Sequence, residues 1–385
     1  MESIDDYIDK IEDPRHPRGI RYPFKDIVVI CCFAILSGSD NATGIVAYVD
    51  ESKEYFSSVF GIKKIPSHDT ISRIMRLINF EYYASCLGDF IVNAYPTKFK
   101  KYGGKKVIHI DGKANRAASK KSEGEKPRYL MNSYVEGGSI SLYSEEVGDK
   151  NNEITAIPKF LDSINIKDSI VTIDAIGMQQ DILNKIVGEG GDFVIALKEN
   201  QPELLKLVTK QFDNELLDIS NNNLESYTSE VNKAHGRIEK RTAYLIRDTE
   251  FILKKYGIGH AFNNIGTCLL IEKEVSEKVK GEYVTTTSKS FALSSLTNLG
   301  VKELLEIKLS HWSIESSRWL LDVQFNEDKH TARRDNAPIN FSTLRKFALA
   351  IKKGDEGSNK LTTKQFFIRN LLHPENIEKL LGLVR

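Results

Sequence analysis

Only four of the 385 residues are cysteines: Cys31, Cys32, Cys86 and Cys268. Two are adjacent, and none has the spacing of a zinc site or a disulfide framework. They read as reduced core residues, which fits a cytoplasmic protein. Long hydrophobic runs are missing too. The most apolar stretch, "IVVICCFAIL", covers ten residues from Ile27 to Leu36, whereas a bilayer span needs about 20. It therefore reads as a buried helix, and no membrane partner is expected. The chain opens on the acidic, polar "MESIDDYIDKIED", which is not a signal peptide pattern. Nor is there an excess of charge of one sign: the formal net charge is +1, which argues against a uniformly basic nucleic-acid binder.

What is present is ordinary for a globular protein, with 41% hydrophobic and 28% charged residues. The length suggests two or three domains, or one domain with a large insertion. No internal repeat or low-complexity tract is visible. The charge is unevenly spread. Residues 98–128 hold eleven Lys and Arg against Asp111, Glu123 and Glu125, and residues 329–354 hold seven against Asp335. Two basic segments in a neutral chain are either a footprint for DNA or two solvated loops.

The first hundred residues look helical. "PFKDIVVICCFAILSG" begins at Pro23 and stops at Gly38, a matched start and stop. In "IPSHDTISRIMRLINF", Ser67 or Asp69 can cap a helix whose Ile71, Ile74 and Ile78 share one face. That helix either reads a DNA groove or belongs to a bundle. After "YGGKK" the pattern changes. "VIHI" is a short apolar strand ending in Asp111, and "YLMNSYVEGGSISLYSEEV" reads as two strands joined at Gly137-Gly138. "EITAIPKFLDSI" reads as a helix with Pro158 in its first turn. "DSIVTID" is an apolar strand ending in Asp174. "MQQDILNKIVGEGG" is a helix with Ile182, Ile186 and Val187 inward, and "DFVIALK" is a further buried strand. This order predicts an α/β layer with a mixed sheet. From about Asn200 to Leu296 the segments are strand-like and predict a β-rich insertion. Residues 299–325 predict one long helix.

That helix holds both tryptophans, Trp312 and Trp319, with one acid between them. Residues three and four apart share a helix face, so Glu315 lies with His311, Trp312, Arg318 and Trp319. Asp111 and Asp174 each stand where a buried strand runs out, the end at which open α/β sheets bind ligands. On neighbouring strands, about 5 Å apart, both could grip a hard divalent cation such as Mg²⁺. Two such ions can hold the attacking and leaving oxygens of a phosphodiester displacement. Glu315, arriving from a helix packed on the sheet, would be the third acid, with Asp322 its nearest rival. Taken singly, an acid after a strand is also a turn or cap residue, and Glu315 is also a surface charge.

Several blocks carry a resemblance: "IHIDGKANRAA", "NNEITAIPKFL", "IVTIDAIGMQQDI", "DFVIALKENQPEL", "HGRIEKR" and "HWSIESSRWLLDVQFNEDKHTARRDNAP". In this order they resemble the blocks of bacterial DDE insertion-sequence transposases, in the group of H-repeat-associated proteins. "DPRHPRGIRYPFKDIVVICCFAILSG" and "PSHDTISRIM" resemble the helical region that precedes the catalytic domain in that group. The resemblance implies an RNase H-like mixed sheet core with a β-rich insertion, preceded by a helical N-terminal domain. It implies Asp111, Asp174 and Glu315 as catalytic and metal-ligating residues, with two Mg²⁺ ions for which Mn²⁺ can substitute. Double-stranded DNA is then the partner, bound by a homodimer in a bacterial, nucleoid-associated setting. Where the wider group often has a Tyr, an Arg and a Lys around the Glu, this chain has Lys308, His311 and Asp322.

The expected domains are 1–100, helical and suited to binding DNA ends; 101–200, the first part of the core; 201–298, the insertion; 299–354, the last part of the core with the Glu helix; and 355–385, a tail. Lys113, Arg116 and Lys198, just past strand ends, touch phosphate or are solvated loop charges. His235, Arg237 and Arg241 alternate along a strand and meet DNA backbone or pair with Glu239 or Glu230. His311, Arg318, Arg333 and Arg334 are further DNA-binding candidates. Trp312 or Trp319 is expected to pack the Glu helix on the sheet rather than stack on a base. A catalytically inactive relative that binds DNA without transposing is the alternative. A dehalogenase-like phosphatase would need an Asp at 113, where this chain has Lys.

Overall fold

The computed structural model describes residues 2–115, 128–135, 141–147, 153–162, 164–217, 224–234, 237–257, 260–279, 282–311, 313–330 and 332–383. The fold is mixed α/β, with many helices and a mixed sheet. Its strands are β1 (Lys106–Asn115), β2 (Arg128–Val135), β3 (Ser141–Val147), β4 (Ser169–Ile173), β5 (Asp192–Leu197), β6 (Glu225–Thr228), β7 (Asn232–Ala234), β8 (Arg237–Ile246), β9 (Thr267–Val279) and β10 (Glu282–Ser294). The chain divides into two compact units. One comprises Met1–Lys101, Lys113–Glu146 and Ser313–Arg385; the other comprises Tyr102–Gly112 and Val147–Trp312.

The first unit is built mainly of helices. Its helix Phe24–Leu36 is buried on every side, from Ile27 onward without interruption. Only Lys25 and Asp26, in the first turn, carry charge, so an all-round apolar helix ends up as the interior element. Gly38, at φ +94°, closes it in a conformation that costs other residues energy. Helix His68–Leu77 starts at Ser67, whose hydroxyl accepts the Thr70 N–H. Ile71, Ile74 and Ile78 are all buried, as the spacing predicts. The four cysteines are free thiols in the interior.

Helix Ala337–Gly354 joins the end of the chain to its beginning. Its buried Asn340 donates to the carbonyls of Met75 (2.8 Å) and Ile78 (3.0 Å). Those acceptors lie at a helix C-terminus, where carbonyls have no partner within the helix. Asn370 does the same for Leu36 at 2.9 Å. Arg345, 1% exposed, donates to the Asp40 carbonyl at 2.6 Å. With Lys346 and Lys352 also buried, three of the basic residues in 329–354 are structural, and the segment is not one electropositive surface. Residues 356–380 are largely helical. They form helices Glu356–Asn359, Thr363–Leu372 and Glu375–Leu380, and Phe366, Ile377 and Leu381 join the same core as Ile4 and Phe33.

A pH dependence follows from His330. Burial first, and the neighbouring Arg345 second, push its pKa from the usual 6.5 down to about 4. The folded state therefore resists taking up a proton that the unfolded chain accepts. Between pH 6.5 and 4 the unfolded state binds more protons, so stability falls with falling pH across that window. Two and a half pKa units correspond to about 3 kcal/mol. Urea midpoints measured at pH 7 and pH 4.5 should show the loss, and His330→Phe should shrink it. An unchanged pH slope in that variant would rule out His330 as the cause.

The second unit holds the sheet β1-β4-β5-β10-β9-β8-β6, with β7 on β8. β1, β4 and β5 run parallel; β10, β9, β8 and β6 are antiparallel to their neighbours. The all-buried β4 and nearly all-buried β5 are the continuous apolar runs that a sheet covered on both faces requires. The β-rich segment expected at 201–298 is present, but it is not a separate sheet. Phe291–Ser294 of β10 pair with Val194–Leu197 of β5, so the segment extends the same sheet. β2 and β3 pair with each other, and the Gly137-Gly138 turn lies outside the described residues.

Three local expectations are corrected. Pro158 sits inside helix Glu153–Asp162 and not in its first turn. On helix Gln180–Gly188 the inward residues are Ile182, Leu183 and Ile186, because a 100° turn per residue carries Val187 off the buried arc. The single long helix expected over 299–325 is two, Val301–Ser310 and Ser313–Gln324. At the break, the Ser310 hydroxyl donates to the Ile307 carbonyl at 2.8 Å, a local bond that competes with helix continuation.

Candidate active site

β1 and β4 pair in register from Lys106↔Ser169 to Ile110↔Ile173. One step further along this register come Asp111 and Asp174, so the two acids stand level; Asp174 follows the end of β4, whereas Asp111 lies within β1, which continues to Asn115 and does not end at the acid as expected. Side chains alternate along a strand, and three successive pairs share one face. Val107 and Ile170 come first, in the core against helix Val301–Ser310. His109 and Thr172 follow, each 1% exposed. Asp111, half-buried, and Asp174, exposed, come last. The face thus passes from dry core to polar layer to carboxylate rim within five residues.

Asp174 leads into the short 3-10 turn Ala175–Gly177. The Gly177 N–H donates to the Asp174 carbonyl at 2.8 Å. A Cβ at Gly177 would lie 2.7 Å from that of Ile173, so the tight return after the strand requires glycine there. The same register carried through β5 sets Lys198, just past Leu197, on the face of Asp174.

His311 ends helix Val301–Ser310 and is buried, with 9% exposure. Its Nδ1 lies 2.9 Å from Thr172 Oγ1, which lies 2.6 Å from His109 Nδ1. Its Nε2 lies 3.4 Å from Asp174 Oδ1. The two imidazole rings meet edge to face at 5.8 Å. The hydrogen bond from His311 is the main influence on Asp174 and holds its carboxyl below the usual carboxylate range, with Lys198 and Lys308 adding smaller effects. Lys308 is itself pushed below the usual lysine range, chiefly by its own burial and then by Lys198. Asp174 is therefore an ionised carboxylate flanked by two lysines.

Glu315 lies in the first turn of helix Ser313–Gln324, in the other unit, and its side chain lies outside the described residues. Trp312 lies outside them as well, and Trp319 is 58% exposed, so Trp319 is not the packing anchor expected of it. Arg318 is half-buried, and Arg333 and Arg334 are exposed. Arg237 is exposed and pairs at 2.8 Å with Glu277 across β8 and β9, its register partner, whereas Arg241 pairs with Glu239. Arg116, His235 and the Lys113 side chain lie outside the described residues. Two residues escaped the sequence reading, His109 and Thr172. Their signal was a polar residue two positions before the acid in both "IHID" and "IVTID", the strand period.

Paired carboxylates with one member held ionised are the oxygen donors that a hard divalent cation takes. Among the described residues no cluster of three or more His, Cys, Asp or Glu is arranged to hold a metal. The pair fits such an ion but would need a further donor.

Comparison with known proteins places the chain in a family. A family model described as "Transposase DDE domain" matches residues 102–351, and one described as "DDE_Tnp_1-associated" matches residues 6–91. The chain is 29% identical over 374 residues to the "H repeat-associated putative transposase YhhI" of Escherichia coli (strain K12), covering 92% of each chain. It is 28% identical over 361 residues to the "Putative transposase YncI" of Escherichia coli O157:H7, covering 91% of this chain and 87% of that one. This chain belongs to the DDE transposase family, in its H-repeat-associated group.

Proposed function

We propose that this protein is a metal-dependent transposase. It would cut DNA at the ends of an insertion sequence and join the freed 3′-OH to target DNA. The observation that supports this most is the register that sets Asp111 on β1 level with Asp174 just past β4. The parallel β1, β4 and β5 are consistent with an RNase H-like core. Asp111, Asp174 and Glu315 would hold two Mg²⁺ ions, or Mn²⁺ in their place. Bound there, the cations would activate the attacking oxygen and offset charge on the leaving one.

The protein's own residues have separate tasks in this reading. Asp174 stays ionised beside His311 and so keeps both oxygens free to accept. Lys198 and Lys308, near Asp174, offer positive charge to the phosphates on either side of the scissile bond. Lys113, Arg116, His235, Arg237, Arg318, Arg333 and Arg334 are the proposed contacts to the rest of the duplex. Phosphate contacts of this kind give register and salt dependence, not sequence readout. A homodimer on double-stranded DNA would bring two ends together.

The test is cleavage of a duplex carrying the element's own ends. With Mg²⁺ the protein should release a 3′-OH end, and chelation with EDTA should stop release while leaving DNA bound. Binding without cleavage in either Mg²⁺ or Mn²⁺ would overturn the enzymatic reading and leave a DNA-binding relative that does not transpose.

A further inference from the structure

We propose that Thr172 is a positioning residue: with His109 behind it, it fixes the His311 ring so that His311 aims the Asp174 carboxylate at its cation. This rests on the reading of Asp174 as a metal ligand.

The inference begins with hydrogen-bond inventory. Thr172 Oγ1 lies between two imidazole Nδ1 atoms, at 2.6 Å from His109 and 2.9 Å from His311. A hydroxyl has one proton to donate and lone pairs to accept. Thr172 can therefore donate to at most one of the two histidines, and any other bond it makes with them must be donated by the histidine. A neutral imidazole carries its proton on one nitrogen only. If neutral His311 is to present an N–H to Asp174, that proton is on Nε2, and Nδ1 is an acceptor. The order is then set: His109 Nδ1–H donates to Thr172, Thr172 O–H donates to His311 Nδ1, and His311 Nε2–H faces Asp174 Oδ1 at 3.4 Å.

Burial makes this order matter. His109, Thr172 and His311 are all buried, so bulk water is not at hand to replace a lost partner. Asp174 at the rim is exposed, and a carboxylate there turns freely unless something holds it. His311 has only one such contact to offer, and its ring orientation depends on Thr172. Partners of this kind, one step behind a ligand, typically change metal affinity or activity 10–100-fold when removed. They are also anchored in rigid structure. His109 and Thr172 are register partners on adjacent strands, and His311 closes a helix packed on the same face.

Thr172 permits a clean substitution pair. Thr172→Val keeps the shape and removes the hydroxyl, and Thr172→Ser keeps the hydroxyl and removes the methyl. Mn²⁺ alone is the probe, with free ion followed by electron paramagnetic resonance. Thr172→Val should weaken Mn²⁺ binding about 10–100-fold, and Thr172→Ser should recover most of the affinity. Thermal melting monitors the fold in parallel. Should Thr172→Val fail to fold, His311→Phe, which keeps a ring without nitrogens, carries the same expectation. In the cleavage assay, the Thr172→Val defect should shrink at saturating Mn²⁺, a split that general loosening of the core would not give.

Asp174→Asn separates the two failures. If it binds Mn²⁺ as the unaltered protein does, the metal site itself is misassigned and the inference falls with it. If it loses Mn²⁺ while folded Thr172→Val or His311→Phe binds normally, only the positioning role is overturned.

Discussion

Glu315→Gln is expected to lower strand cleavage by about 10³-fold or more, with DNA-end binding retained; Asp111→Asn and Asp174→Asn should do the same. Each change keeps the shape of the side chain and removes one negative charge. An amide offers a single oxygen and a far weaker field to a divalent cation than a carboxylate does. A loss of 10³ corresponds to about 4 kcal/mol of transition-state stabilisation, in the range that metal-assisted phosphodiester chemistry draws on. Glu315 is the most informative of the three. Asp111 and Asp174 are brought level by strand register, whereas Glu315 is reached only through its helix and the family pattern. Release of 3′ ends from a labelled duplex, followed on a denaturing gel, measures the effect. Full cleavage by Glu315→Gln together with loss in Asp322→Asn would transfer the third position to Asp322, two turns along the same helix.

The largest expected effect on stability comes from Phe33→Ala. Phe33 is fully buried in the helix Phe24–Leu36. Its ring meets those of Phe56 and Phe60 at 5.4 Å each and that of Tyr55 at 6.2 Å. Truncation removes the transfer energy of the ring and leaves a cavity that these neighbours can only partly fill, at a cost of about 3–5 kcal/mol. A typical domain has about 5–15 kcal/mol in total, so the variant should lose a large share of its folded margin. Phe33→Leu, closer in volume, should cost less than about half as much. Denaturant titration is the measurement, with a lower midpoint and an unchanged slope as the expected result. A loss below about 1 kcal/mol would mean that the ring does not fill the space described here.

Much of this was open to reading in the linear chain, and the reason is local. A run such as "SIVTI" has only one economical conformation, a strand buried on both faces, and the residue that follows it is necessarily at the rim. Asp174 was therefore recognisable as a strand-end acid before any fold was known, whereas the strand that carries Asp111 continues to Asn115. The helix Phe24–Leu36 was equally plain, since its start signal, apolar content and stop signal agree. Family resemblance then added the third acid, which periodicity alone left as one surface charge among many.

Burial of charge was not open to the same reading. Arg345, Lys346 and Lys352 lie in a stretch that looks like a basic surface, yet all three are interior. What keeps Arg345 inside is the Asp40 carbonyl, 305 positions away in the chain, and no local pattern announces such a partner. His109 and Thr172 were hidden for a related reason. A polar residue in an apolar strand is usually the outward member of an alternating pair, and only strand register shows that these two face each other.

By itself, then, the sequence determined the main apolar helices and strands and the acid that follows β4, because backbone geometry and the burial of apolar groups act over a few residues. Only the tertiary structure decided that β10 extends the central sheet, that the helices of residues 356–380 pack into the same core as the first ones, and that Thr172 joins two histidines behind Asp174. Those outcomes depend on which hydrogen-bonding and apolar surfaces meet across hundreds of residues, and that pairing is selected by the whole core at once.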